Sequence, residues 1–221
     1  MSPVKLESVE SSIVGRTPVA RRRSIADTAE RAAGCVLLAL ASPAIAISAL
    51  TVRALSGRSP FVAHLRVGQH GQPFWTLKLR TMWDREPAQS KWIERIVAEP
   101  AEDGKDPSDP RVVSRFAAFC RRHSIDELPQ LWHVARGQMS LVGPRPLTHG
   151  EVSLYYGAHA HELLSVKPGL TGLWQVYGRS AIRFPQRSAM DLEMVRCLDA
   201  RLYFKILLRT IPAIVAGNGA W

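Results

Sequence analysis

Apolar residues crowd into one block of the chain and recur periodically elsewhere. Between Arg31 and Arg53 lie 21 residues without a charge, AAGCVLLALASPAIAISALTV. A straight helix of that length would reach about 32 Å at 1.5 Å per residue. The hydrocarbon core of a bilayer is about 30 Å thick, so length alone permits one span. Pro43 stands in the middle. It has no N–H to offer the Ala39 carbonyl, and its ring presses on that carbonyl, so a kink is expected there. The hydroxyl of Ser42 can satisfy the carbonyl left over. On either side of Ser42-Pro43, the kink divides the block into arms of ten and nine uncharged residues, each reaching about 15 Å. Arg21, Arg22, Arg23 and Arg31 precede the block, and Arg53 and Arg58 follow it. Cytoplasmic flanks carry the Lys/Arg excess. A re-entrant helix that enters and leaves by one leaflet meets both features. A kinked full span and a buried core helix are the alternatives. The arginine clusters suit acidic lipid headgroups and count against the buried helix. A cleaved signal peptide fails because no cleavage site follows and the basic leader is too long.

The rest of the pattern is that of a folded domain. Residues 1–20 are Ser-rich and aperiodic and read as a tail; 21–58 form the basic flank and membrane helix; 59–221 form the domain. FVAHLRVG and PFWTLKLRTM alternate like strands, joined across Gly68–Gly71 as a hairpin. A helix is expected over 88–98, a loop over 100–110, and helices over 112–122 and 124–137. Residues 139–146 form a Pro/Gly-rich loop. Residues 148–165 and 186–216 read as helices mixing aromatics and aliphatics with Arg, Lys and His. Their apolar stripes fit a bilayer surface or a core equally well. The fold class is α+β: mostly helical, with a short sheet.

Composition narrows the function. The chain has 221 residues, 46% hydrophobic and 22% charged, which excludes a polytopic membrane protein and a wholly disordered chain. Lys and Arg total 29 against 19 acids, a net charge of +10 that calls for an anionic partner. A nucleic-acid binder is disfavoured: no helix-turn-helix or aromatic-basic motif occurs, and the apolar block has no place in one. Cys35, Cys120 and Cys197 form neither a CxxC pair nor a zinc spacing, which fits a reducing compartment.

The densest chemistry lies at Ser124-Ile125-Asp126-Glu127-Leu128-Pro129-Gln130. Adjacent carboxylates on a helix point in different directions, so one can attack a substrate while the other binds a metal. Ser124 and Glu127 also match the S-x-x-E capping box, and the heptapeptide alone favours that plainer role. Its surroundings shift the balance. Pro144-Arg145-Pro146 presents a guanidinium on a stiff loop, and Arg forks match phosphate bidentately. Lys78 and Arg80 share one face of a strand. Asp109-Pro110-Arg111 and Lys167-Pro168-Gly169 add further cations. Together they suggest a site for a polyphosphate substrate with Mg²⁺. No P-loop, dinucleotide fingerprint or serine nucleophile elbow occurs, and the seven histidines make no H-E-x-x-H pair.

These segments, in this order, resemble the bacterial sugar transferases of the monotopic phosphoglycosyl transferase family, in particular its short members that initiate exopolysaccharides. The likeness runs from about Arg21 to the C-terminus. It is carried by Ser42-Pro43 in the broken helix, RVG and KLRTM (Arg66 to Met82), DPR (Asp109 to Arg111), SIDELPQLW (Ser124 to Trp132), MSLVGPRP (Met139 to Pro146) and KPGLTGLWQVYGR (Lys167 to Arg179). The resemblance implies a re-entrant helix hinged at Ser42 and Pro43, at the inner membrane, with the catalytic domain on the cytoplasmic face. It implies transfer of a hexose 1-phosphate, from UDP-galactose or UDP-glucose, to undecaprenyl phosphate with release of UMP. Asp126 would be the nucleophile, Glu127 the Mg²⁺ ligand, and Arg145 a phosphate contact, with Lys78, Arg80 and Arg111 as further substrate-binding residues. Acidic lipids would be partners, and a homo-dimer is compatible with it. The chain departs from the family pattern at His64, where Gln is common, at His133 and Gln138 in place of Asn and Asp, and at Tyr203 near a common Asp. A non-catalytic membrane scaffold for polysaccharide export, and a transferase that moves the bare sugar and releases UDP, are the alternatives.

Overall fold

The computed structural model of the chain describes residues 18–83, 92–96 and 114–217. Most of the expected tail, the loop over 100–110 and Arg111 lie outside them. The apolar block lies in one helix, α1 (Pro18–Ser56), which passes through Pro43. The hydroxyl of Ser42 donates to the Ala39 carbonyl at 2.8 Å, supplying the bond the proline cannot make. One face of α1 packs against the domain through Ala49 and Val52, while Val36, Leu40 and Ile47 on other faces are 60–74% exposed. The span Ala26–Ser56 is long and apolar enough to cross a membrane. So much exposed apolar surface excludes a buried core helix.

The hairpin forms as its pattern predicts. β1 (Phe61–Val67) and β2 (Pro73–Leu79) pair antiparallel, joined by a 3-10 turn over Gln69–Gly71. Residues 93–96 are a strand, β3 (Ile93–Ile96), and not the expected helix. Its pairing is parallel with β1, a contact across some thirty residues that a local window cannot register. The order is β2-β1-β3. Then come α2 (Arg115–Arg122), a 3-10 turn (Ile125–Gln130) and α3 (Leu131–Ala135). The single helix expected over 124–137 is therefore two short pieces, because Pro129 cannot sit in an α-helix interior.

The stretch expected as a loop at 139–146 opens with a strand, β4 (Ser140–Val142), paired parallel with β5 (Gly169–Thr171). Between them lie α4 (His149–Tyr155) and α5 (Ala160–Leu163). After β5 follow α6 (Leu173–Tyr177), α7 (Gln186–Cys197) and α8 (Ala200–Ala216). The helix expected over 186–216 is broken at Asp199, whose carboxylate caps α8 by accepting from the Leu202 amide at 2.7 Å.

The two proposals for the amphipathic stretches separate here. Val152, Tyr156 and Leu163 of the 148–165 stretch join Leu147 and Leu192 in a buried cluster, so that stretch builds core. On α8, Phe204, Leu208, Ile211 and Val215 recur on one stripe and are 62–72% exposed.

Gly34 decides how α1 meets the domain. A Cβ there would fall 2.9 Å from the Ala135 amide nitrogen and from a Val134 methyl. Only glycine lets α1 lie this close to α3. The core below the contact is Phe74, Leu131, Val134, Met139 and Leu141.

Candidate active site

The acidic pair sits where α2 ends. Ser124 adopts a left-handed backbone (φ 54°, ψ 24°) that costs a non-glycine residue about 1 kcal/mol or more. It turns the chain into the 3-10 turn, which sends the two carboxylates apart. Asp126 goes inward and is 3% exposed. The Glu127 carboxylate meets Lys78 Nζ at 2.7 Å and an Arg145 guanidinium nitrogen at 3.6 Å.

This geometry excludes the capping box at Ser124. The Ser124 side chain makes no cap bond and accepts from Arg179 at 3.1 Å instead. The chain does contain a capping box, but at Thr148 and Glu151, at the start of α4.

Arg145 is fixed by its loop. The Gly169 amide donates to the Pro144 carbonyl at 2.8 Å, and the Gly143 amide donates to the Thr171 carbonyl at 2.9 Å. On the other flank the Val67 amide donates to the Leu147 carbonyl at 2.8 Å. A Cβ on Gly169 would lie 2.1 Å from the Gly143 nitrogen, so both glycines are needed for the two backbones to touch. With the loop held on both sides, Arg145 loses little entropy on meeting an anion.

The hairpin supplies the remaining cations. Register places His64 opposite Thr76 and Val62 opposite Lys78, so His64, Arg66 and Lys78 share one face. Arg66 lies 3.9 Å from the Glu151 carboxylate. Arg80 is buried, donating to the Ser59 carbonyl at 2.8 Å and to Glu94 at 2.6 Å. Lys167 pairs with Asp27 of α1 at 3.1 Å.

Arg179 completes the surroundings. Burial lowers its pKa most, while the charges of Glu127 and Asp126 pull it back up. Cys120 backs Asp126: burial first, and the Asp126 charge second, push its thiol up to about 11. The sequence reading named neither Arg66 nor Arg179 as site residues. Both lie inside the motifs quoted above, RVG and YGR, which were the available signal.

Two departures from the family pattern pair with each other. His133 Nδ1 lies 3.0 Å from the Gln138 side-chain oxygen, and His133 Nε2 accepts from the Leu77 amide at 3.1 Å. That tautomer is neutral, and burial keeps the ring below its usual pKa. The pair braces β2 next to Lys78. The third departure is also explained: the Tyr203 hydroxyl donates to Glu30 of α1, where an Asp would set two carboxylates together.

Comparison with known proteins gives the family. The bacterial sugar transferase family matches residues 21–217. The chain belongs to that family. It is 38% identical to the exopolysaccharide production protein ExoY of Rhizobium meliloti over 86% of this chain and 84% of that one. It is 36% identical to the UDP-glucose:undecaprenyl-phosphate glucose-1-phosphate transferase of Caulobacter vibrioides, over 93% and 74%. It is 35% identical to the undecaprenyl-phosphate galactose phosphotransferase of Salmonella typhimurium, over 75% of this chain and 35% of that longer one. The protein is thus an enzyme, a phosphoglycosyl transferase by family, and the scaffold alternative is set aside. With its long apolar helix, this sugar transferase associates with membrane.

Proposed function

We propose that this enzyme transfers a hexose 1-phosphate, galactose or glucose, from a UDP-sugar to undecaprenyl phosphate through a covalent intermediate on Asp126, and so starts an exopolysaccharide repeat unit. The observation that carries the proposal is one buried carboxylate set beside a second that is already matched to phosphate-binding cations. Lys78 and Arg145 converge on Glu127, and Arg66 stands on the Lys78 face.

In the first step the donor diphosphate takes Lys78, Arg145 and Arg66 as its counter-charges, with Arg80 contributing charge from behind. Arg111 would add a further contact. An Asp126 oxygen attacks the phosphorus that carries the sugar. The bond to the UMP oxygen breaks, and UMP leaves with the electron pair. In the second step an oxygen of undecaprenyl phosphate attacks the same phosphorus, and the Asp126 carboxylate departs. Burial of Asp126 leaves its carboxylate poorly solvated and nucleophilic, and Arg179 balances its charge.

Glu127 is the residue that would hold Mg²⁺. Among the described residues no three His, Cys, Asp or Glu side chains converge into a cage. One carboxylate completed by substrate phosphates is the donor set Mg²⁺ commonly uses. When bound, the ion neutralises phosphoryl charge.

What α1 touches supports the membrane arrangement we propose. Glu30 accepts from Ser140 at 2.6 Å, and Arg31 donates to the Ala135 carbonyl at 3.3 Å. At the other end Arg53 lies over the Trp92 ring at 4.9 Å. Both ends of the apolar block therefore contact one polar domain. That supports a re-entrant helix, with the domain on the cytoplasmic face of the inner membrane and the α8 stripe resting in the interface.

Incubating the purified enzyme with a panel of UDP-sugars and undecaprenyl phosphate should release UMP. Donor alone should add one hexose-phosphate mass to the chain, and Asp126→Asn should abolish both. Release of UDP, or an active Asp126→Asn variant, overturns the proposal.

A further inference from the structure

His64 occupies the middle of β1 with Thr76 directly across, the Thr76 hydroxyl donating to the His64 carbonyl at 3.0 Å. Its ring lies on the face of the sheet that carries Arg66 and Lys78. Nδ1 is buried and has no hydrogen-bond partner among the described residues. Burial acts first, and then the charges of Arg66, Lys78, Arg145 and Arg80, to push the ring down to about 4. The imidazole is therefore neutral at neutral pH, although it stands among four cations. A fifth fixed cation there would be repelled, and an apolar side chain could pair with nothing. A neutral imidazole keeps one N–H donor and can still gain charge once an anion offsets its neighbours.

We propose that His64 is a ligand of the donor diphosphate, donating a ring N–H to a phosphate oxygen and taking up a proton as the anion binds. This rests on the phosphoglycosyl reading above and goes beyond it by adding a neutral ring of β1 to the cations that meet the diphosphate. The proton comes from solvent and settles on the second ring nitrogen; no covalent bond is made. The anion opposes Arg66, Lys78, Arg80 and Arg145, so the ring holds its proton to higher pH in the complex than without ligand. Affinity therefore rises as pH falls toward the unliganded value. Glu127 and Glu151 face the same cations, so the decisive comparison is between chains that differ only at position 64.

The test is calorimetric binding of UDP to the full-length protein in nanodiscs. At about pH 7.5, His64→Leu should weaken binding roughly tenfold, the size expected for one hydrogen bond to a charged group, while His64→Gln, a neutral donor, should stay within about threefold. On lowering the pH to about 5.5, the wild type should gain affinity over His64→Gln, with buffer-dependent heats showing proton uptake in the wild type alone. Equal affinity of wild type and His64→Leu overturns the contact. Identical pH dependence of wild type and His64→Gln overturns the proton uptake. If His64→Leu does not fold, the His64→Gln comparison decides. UMP release by the unmodified protein, measured in parallel, tests the phosphoglycosyl reading separately: its absence overturns that reading, whereas UMP release with equal UDP affinity of wild type and His64→Leu overturns only the His64 contact.

Discussion

Glu127 and Lys78 illustrate how a binding site constrains its own stability. Their 2.7 Å pair is largely shielded, with side-chain exposures of 14% and 16%. Removing one partner from such a pair leaves a buried charge uncompensated, which costs up to about 3–5 kcal/mol in a fully buried setting. Residual exposure, and Arg145 at 3.6 Å, reduce that figure. Lys78→Met should therefore lower unfolding free energy by about 2 kcal/mol, measured in denaturant, and reduce UMP release by at least tenfold. Adding Glu127→Gln should restore most of the stability and none of the activity. A double variant no more stable than Lys78→Met would mean that the pair does not hold the turn. At this scale the acidic pair was legible because its two members are adjacent, as was Arg145 because two prolines frame it. Arg66 and Arg179 were legible only as members of RVG and YGR, because nothing in those motifs says which distant segment each side chain meets. Closure of β1 on β2 sets Arg66 on the Lys78 face, and the Ser124 turn receives Arg179.

At the scale of elements, the hairpin could be read from alternation and from the turn residues between Gly68 and Gly71. The strands β3, β4 and β5 could not, since each has three or four residues and pairs in parallel with a distant segment. Helix α7 carries an element-scale consequence of burial. Its Asp191 accepts from the Tyr156 hydroxyl at 2.7 Å and from the Trp174 indole at 3.3 Å. Burial outweighs those bonds and the charges of Arg145 and Arg187, and raises its pKa from 3.8 to about 7. Below about pH 4 the acid is protonated whether folded or not. Between there and pH 7 the folded chain holds a proton that the unfolded chain has released, so stability falls as pH rises. Above 7 both forms are ionised and the loss is complete, on the order of 4 kcal/mol. The urea midpoint should accordingly decline from about pH 5 to about pH 7.5, and Asp191→Asn should remove most of that slope while keeping an oxygen for Tyr156. An unchanged slope in the variant would place the titration elsewhere.

For the whole molecule, one helix is asked to be both membrane anchor and wall of the catalytic domain. The pattern of residues revealed its length, its proline and its basic flanks. It could not reveal that Gly34 seats the helix on α3, or that Glu30 and Arg53 tie both ends to the same body. A helix crossing the bilayer puts its two ends in different compartments, and one polar domain cannot follow it there without burying charges in hydrocarbon. In the proposed re-entrant arrangement the two ends share a side. The native cysteines make the test clean: Cys35 and Cys197 are exposed and can be replaced by Ser, while Cys120 is buried with its thiol pushed up to about 11 and should be inert to maleimide. In that background Ala26→Cys and Ala54→Cys each place one thiol at an exposed position, on either side of the apolar block. In sealed inside-out vesicles of bacterial inner membrane, an impermeant maleimide should label both variants to the same extent, and in intact spheroplasts neither. Labelling of one variant in each preparation would mean that the helix spans, and the contacts at Glu30 and Arg53 could not then coexist in the membrane.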